Sequence, residues 1–335
     1  PGVFEEQYSL ASLAPVLSEK LGLPVSFLSS WPQQKTYLAP ATVALAENTR
    51  FLVGELDNDL SLAQKMLEGV SVVVMEAFAC SHRKHASTVG ITSLASRIIL
   101  GPEHSSEIDA IEKFMRYRER CLAVVGGKKI ATKLSLLEQL IAKMDVLCLG
   151  GGIGNTILHS QGYNLGTSFI EYSQLRSAAA LCELATANQV DLVLPEDVVV
   201  CENLQDAASV RTVRIEDIAP HEKVVDIGPS TVARFKSKLI HAQSVYWNGP
   251  LGVYEYEHGL AGCAAWASAM SQVQAYSLVG GGDTLSVLHA LGIKRFSHVS
   301  TGGGAFLHYL AHGTSPVLSL LQTEEERQQC VEQRS

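Results

Sequence analysis

Short apolar runs alternate along this chain with longer amphipathic stretches, and that rhythm constrains the fold more than any other feature. The runs fall at 41–46, 70–75, 121–125, 146–149, 191–194, 224–227, 244–247, 276–279 and 298–300. Most are aliphatic or β-branched, as strands covered on both faces are, and the stretches between them are long enough for helices. Within 131–143, Leu134, Leu137, Leu140 and Ile141 recur at three and four residues, giving one buried stripe with Lys133, Glu138 and Lys143 outside it. The expected class is α/β, with doubly wound parallel sheets.

A chain of 335 residues exceeds the roughly 250 to 300 at which single cores stop growing, so two domains are expected. Composition shifts at 102–120, where Glu103 and Glu107 open an apolar-periodic stretch and Arg116, Arg118 and Arg120 close it, the charge order a helix dipole favours. The expected division is 1–102 for a first domain, 103–120 for an inter-domain helix, 121–304 for a second domain, and 305–335 for a C-terminal segment packing back toward the first. The polar tail 323–335 reads as the fraying end of a last helix.

The net charge of −8 argues against general binding to nucleic acid or anionic membrane, so any anion site must be local. The apolar run at 70–80 is interrupted by Ser71 and Glu76 and falls short of the ~20 residues of a membrane helix. The 7 cysteines include no CxxC pair, which suits free thiols in a reducing cytoplasm. The start at Pro1 has neither an initiator methionine nor the layout of a signal peptide, and reads as internal.

In a doubly wound sheet ligands bind beyond the carboxyl ends of the strands. Here those ends carry glycine runs: Gly126-Gly127, Gly150-Gly151-Gly152, Gly280-Gly281-Gly282 and Gly302-Gly303-Gly304. Such runs either make tight turns or let backbone N–H groups approach a polyphosphate at a helix N-terminus. Neither GxxxxGK[ST] nor GxGxxG occurs. Lys128, Lys129 and Lys133 crowd an expected helix start, a conflict that an anion between them would resolve. Asp283 is either a helix cap or the single carboxylate that Mg²⁺ uses beside phosphate oxygens. Arg50 and Arg83, at strand ends in the first half, suggest a second anion site. His82, His85, His308 and His312 read as structural or solvated.

These segments carry a resemblance to the phosphoglycerate kinases. The segment from Val245 to Glu255 resembles their WNGPxGxFE, Gly280 to Thr284 their GGGDT, and Ser297 to Ala305 their SHVSTGGGA. In the family's order stand also Glu47 to Phe51 (ENxRF), His82 to Ser87 (HRxHAS), Gly126 to Leu134 (GGxKxxxKL), Leu194 to Asp197 (LPxD) and Asp226 to Pro229 (DIGP). The resemblance implies two Rossmann-like domains closing about a hinge. It also implies reversible phosphoryl transfer between ATP and 3-phosphoglycerate, with Mg²⁺, in a monomer.

By that resemblance Lys129 meets the transferring phosphoryl group, and Gly303 and Gly304 stabilise the transition state. The nucleotide falls to Lys133, Gly151, Gly152, Asn248, Pro250, Gly252, Val253, Glu255, Gly281, Gly282, Asp283 and Thr284. Asp283 holds the metal, and Arg50 and Arg83 hold 3-phosphoglycerate. The family's DxNVP and SHLGRP segments have no counterpart here, so the chain as given is expected to bind MgADP with little turnover. The alternative is a non-catalytic nucleotide-binding relative. Glu76, Ala79 and Lys128 depart from the family pattern, Lys128 standing where the family has a small residue.

Overall fold

The computed structural model describes residues 2–33, 38–117 and 119–321. Pro1, Arg118, Cys330 and the tail 323–335 lie outside the described residues. The chain divides into two compact units, one of residues up to Ser106 together with those from His312, the other Glu107–Ala311.

The first unit contains α1 (Leu13–Leu21), β1 (Val25–Leu28), β2 (Val43–Ala46), α2 (Leu60–Met66), β3 (Val73–Met75), α3 (Ile91–Leu94), β4 (Ile98–Leu100) and the start of α4 (Pro102–Met115). β1 pairs with β2 and β3 with β4, both in parallel. Val74 and Ile99 are register partners, and both face solvent, 54% and 45% exposed. Asp59 starts α2 by accepting the N–H groups of Ser61 and Leu62, which leaves Leu62, Ala63 and Met66 to pack with Ala86.

The second unit holds the expected sheet. Its elements are β5 (Cys121–Val125), α5 (Leu134–Ile141), β6 (Val146–Leu149), α6 (Gly151–Ser160), α7 (Leu175–Ala187), β7 (Asp191–Val193), β8 (Asp197–Cys201), β9 (Arg211–Arg214), β10 (Lys223–Ile227), α8 (Pro229–Leu239), β11 (Ser244–Asn248), α9 (Ala261–Gln272), β12 (Tyr276–Gly280), α10 (Gly282–Leu291), β13 (His298–Ser300) and α11 (Gly304–His312). Six strands pair in parallel in the order β13-β12-β11-β5-β6-β7. Counted along the sheet this is the 3-2-1-4-5-6 order of the Rossmann fold, reversing between β5 and β11.

Both faces of that sheet are covered, which is why its strands read as continuous apolar runs. On one face Leu122, Val124, Val245 and Trp247 pack with Phe235 of α8 and Trp266 of α9. On the other, Tyr246 stacks on Phe306 at 5.0 Å and meets Phe114 at 6.3 Å.

Four expectations need correction. The run at 224–227 belongs to a separate antiparallel sheet, β10-β8-β9, because its hydrogen-bonding partner is β8 rather than a strand of the parallel sheet. The helix expected over 131–143 begins at Leu134, since Lys133 has a non-helical backbone and its side chain is drawn elsewhere. The helix expected over 103–120 spans Pro102–Met115, and Arg120 lies outside it with a left-handed φ of 56°. The boundary between units falls inside α4, between Ser106 and Glu107, and residues 305–311 cluster with the second unit rather than the first.

Glu76 also finds its place here. Its carboxylate accepts the N–H groups of Glu103 at 3.1 Å and His104 at 3.4 Å, so it caps the first turn of α4.

Candidate active site

The reversal between β5 and β11 opens a crevice beyond their carboxyl ends. Gly126 follows β5 and donates to the Asn248 carbonyl at 3.0 Å, and Gly127 donates to that of Pro250 at 2.8 Å. The two loops lie so close that a Cβ on Gly126 would collide with the Pro250 carbonyl. Tight backbone packing is thus sufficient reason for that glycine.

Lys133 reaches back into this junction. Its Nζ donates to the carbonyls of Gly126 at 2.7 Å and Asn248 at 3.0 Å, and burial lowers its pKa to about 8 against the raising pull of Asp283. An ammonium carries three donors, so one remains for a ligand. Asn248 and Thr284 tie β11 to β12. Asn248 Nδ2 donates to the Gly280 carbonyl at 3.0 Å, and Thr284 Oγ1 donates to that carbonyl at 2.9 Å while accepting the Gly249 N–H at 2.6 Å. Gly281 takes φ 97°, a conformation that turns the chain from β12 into α10.

Gly282 opens α10 differently. Nothing lies within 4 Å of where its Cβ would stand, and its φ is not positive, so neither packing nor backbone calls for glycine. The open N–H end of α10 and the exposed Asp283 beside it give an anion cradle with one carboxylate at its rim. A cavity of about 470 Å³ adjoins it, lined by Gly151, Gly152, Pro250, Gly252, Val253, Glu255 and Asp283 among others.

The phosphoglycerate kinase family model matches residues 1–313. The chain belongs to the phosphoglycerate kinase family. It is 40% identical over 322 residues to the phosphoglycerate kinase of Coxiella burnetii, covering 96% of this chain and 82% of that one. A solved structure of phosphoglycerate kinase from Coxiella burnetii superposes with a TM-score of 0.86 at 39% identity, covering 96% of this chain and 83% of that one. The enzyme from Pyrococcus horikoshii superposes with a TM-score of 0.82 at 25% identity, covering 95% and 83%.

Most of the residues that the phosphoglycerate kinase resemblance assigns to nucleotide meet at one place, lining the cavity or, as with Lys133, Asn248, Gly281 and Thr284, bracing the junction of β5, β11 and α10 beside it. Lys129 is exposed in the turn between β5 and α5, where its carbonyl accepts from Thr132 Oγ1 at 2.9 Å. Among the described residues no three metal-capable side chains converge. Asp283 alone, beside an anion cradle, is nonetheless a donor set that suits Mg²⁺, which keeps its waters and takes phosphate oxygens.

Gly303 and Gly304 stand at the start of α11, apart from the residues that line the cavity, and Gly303 has open space about its Cβ position. The loop before them is held by Glu107 of α4, which the sequence marks only as an acid at a helix start. One carboxylate oxygen accepts the Thr301 N–H at 2.9 Å and the other pairs with His298 Nε2 at 3.1 Å. Burial works to raise the Glu107 pKa, but the hydrogen bonds from His298, Ser300 and Thr301 hold it below the usual carboxylate value.

In the first unit, Arg50 lies in a turn capped by Asn48, whose side chain accepts the Arg50 N–H at 3.0 Å. Arg83 is exposed. The structure brings the two guanidinium groups near His85, whose pKa falls through burial and through both of them, against the pull of Glu55. Glu55 is fully buried and joins the two loops, accepting from Ser87 N at 3.0 Å and from Thr49 Oγ1 at 3.3 Å. No sequence signal distinguished Glu55 from a solvated glutamate.

Proposed function

We propose that the cavity beyond β5 and β11 binds the nucleotide, that Arg50 and Arg83 bind 3-phosphoglycerate, and that the phosphoryl group passes directly between ATP and the substrate carboxylate. The observation that carries the nucleotide assignment is the N-terminus of α10: Gly282, which no packing constraint explains, opens the helix beside Asp283, whose charge acts on the buried Lys133 ammonium.

In-line phosphoryl transfer asks the protein for positioning and for charge stabilisation more than for covalent chemistry. The third donor of Lys133 and the N–H groups of α10 hold the nucleotide phosphates, and Glu255 accepts ribose hydroxyls. Lys129, free of the packing that fixes Lys133, meets the transferring group. The N–H groups at Gly303 and Gly304 stabilise its transition-state charge, with the loop held by Glu107. Asp283 would hold the Mg²⁺ that accompanies the nucleotide, and the ion would offset phosphate charge. Arg50 and Arg83 match a phosphate and carboxylate with bidentate forks. A monomer in the cytoplasm suits this reading, and among the described residues no helix is long and apolar enough to cross a membrane.

The test is calorimetric titration of MgADP into the chain and its Gly282→Val variant. The proposal expects binding by the parent and its loss in the variant; equal binding by both would overturn the assignment.

A further inference from the structure

Arg50 follows β2 and Arg83 follows β3, and among the described residues these strands pair with β1 and β4 rather than with each other. Strand pairing therefore does not set the distance between the two guanidinium groups. Glu55 joins their loops instead. Its Oε1 accepts from Thr49 Oγ1 at 3.3 Å, next to Arg50, and also from the Ser87 hydroxyl. Its Oε2 accepts the Ser87 N–H at 3.0 Å, and its backbone carbonyl accepts the Ala86 N–H at 2.9 Å. The tie continues to Arg83, because Thr88 Oγ1 donates to the Arg83 carbonyl at 2.6 Å. His85, 4.0 Å from Glu55 Oε1, feels both guanidinium charges.

Taking a carboxylate out of water is costly, and an apolar side chain of similar volume fills space at less expense. What the buried Glu55 carboxylate adds is two acceptor oxygens that hold donors on two segments at once. A glutamine there has one acceptor and turns an NH2 group toward the remaining donors. The spacing matters to the ligand. 3-Phosphoglycerate is anionic at both ends, so once one guanidinium holds it, a second at the right distance adds a contact within the bound complex. Inorganic phosphate has one anionic centre and gains little from that spacing.

We infer that Glu55 is a positioning residue for the substrate, holding the loops of Arg50 and Arg83 at the separation that a ligand with two anionic ends requires. The inference rests on the proposed placement of 3-phosphoglycerate on those arginines and deepens it. Glu55, being buried, acts through the two loops rather than on the ligand.

Calorimetric titration of 3-phosphoglycerate and of inorganic phosphate into the parent chain, Glu55→Gln, Ser87→Ala and Asp59→Ala tests it. The ratio of the two affinities is read on each protein, so loss of folded material cancels. Losing the preorganisation of two long side chains corresponds to about a tenfold change in affinity. The parent is expected to favour 3-phosphoglycerate over phosphate, and that preference to fall about tenfold in Glu55→Gln. It should fall in the same direction in Ser87→Ala, which removes one donor and keeps the carboxylate. If Glu55→Gln does not fold, Ser87→Ala decides. Asp59→Ala takes the cap from α2 in the same unit, and is expected to lower thermal stability while leaving the preference as in the parent. A preference unchanged in folded Glu55→Gln or in Ser87→Ala, or one that falls as far in Asp59→Ala, overturns the inference and leaves the arginines as the substrate site. A parent that binds 3-phosphoglycerate no more tightly than phosphate overturns the placement itself, and the inference with it.

Discussion

Asp226 should make the second unit less stable as pH rises, and replacing it with asparagine should remove that dependence. The carboxylate is wholly buried at the end of β10, accepting the Gly262 N–H at 2.6 Å and the Ile227 N–H at 2.9 Å. Burial raises its pKa from 3.8 to about 7, outweighing those two hydrogen bonds. The folded state therefore holds a proton that the unfolded state has released between pH 4 and 7, and stability falls with pH across that window before levelling off above it. Three pKa units at 1.36 kcal/mol each give about 4 kcal/mol in all, and about 2 kcal/mol of it falls between pH 5 and 7. In Asp226→Asn one of the two N–H groups, which meet different carboxyl oxygens, would face the amide NH2 instead, adding a cost of about 1 to 3 kcal/mol that does not vary with pH. Trp247 and Trp266 lie in the same core, so tryptophan fluorescence in a Trp31→Phe background reports denaturant unfolding of this unit. The stability of the asparagine variant relative to its parent should climb by about 2 kcal/mol from pH 5 to pH 7. A difference that is constant with pH would refute the reasoning.

Lys133, with a pKa of about 8, should lose its charge in mildly alkaline solution; MgADP affinity is expected to fall as pH rises through 8, and Lys133→Met to weaken binding and flatten that profile in calorimetry. Asp283→Asn should bring the affinity for MgADP down toward that for ADP with chelator, measured by the same titration. Arg50→Gln and Arg83→Gln should each weaken 3-phosphoglycerate binding at least tenfold, read from KM or direct titration. Removing the cap on α4 by Glu76→Ala should cost about 1 kcal/mol, seen in thermal unfolding of the first unit.

The parallel sheet was legible because strands buried on both faces leave unbroken apolar runs, and the glycine segments after them mark where helices begin. The run at 224–227 looked the same as the others, since an apolar run carries no record of its partner; pairing with β8 made it antiparallel. Periodicity placed α5 but not its start, because the pull of two remote carbonyls on Lys133 leaves no trace in spacing. For the same reason Glu55 read as an ordinary acid, Glu76 only as a departure from the family pattern and Glu107 only as an acid at a helix start. Each is defined by N–H or hydroxyl groups on segments that only the fold brings close. The glycines divided according to surroundings: Gly126 answers to a neighbouring carbonyl, Gly282 to open space.

Amide hydrogen exchange with and without MgADP tests the placement of the nucleotide most directly. Protection is expected in the peptides that carry Gly126 to Lys133, Asn248 to Glu255 and Gly281 to Leu285, with none gained in β9. Nucleotide-dependent protection confined to the first unit, or to the antiparallel sheet, would contradict the account.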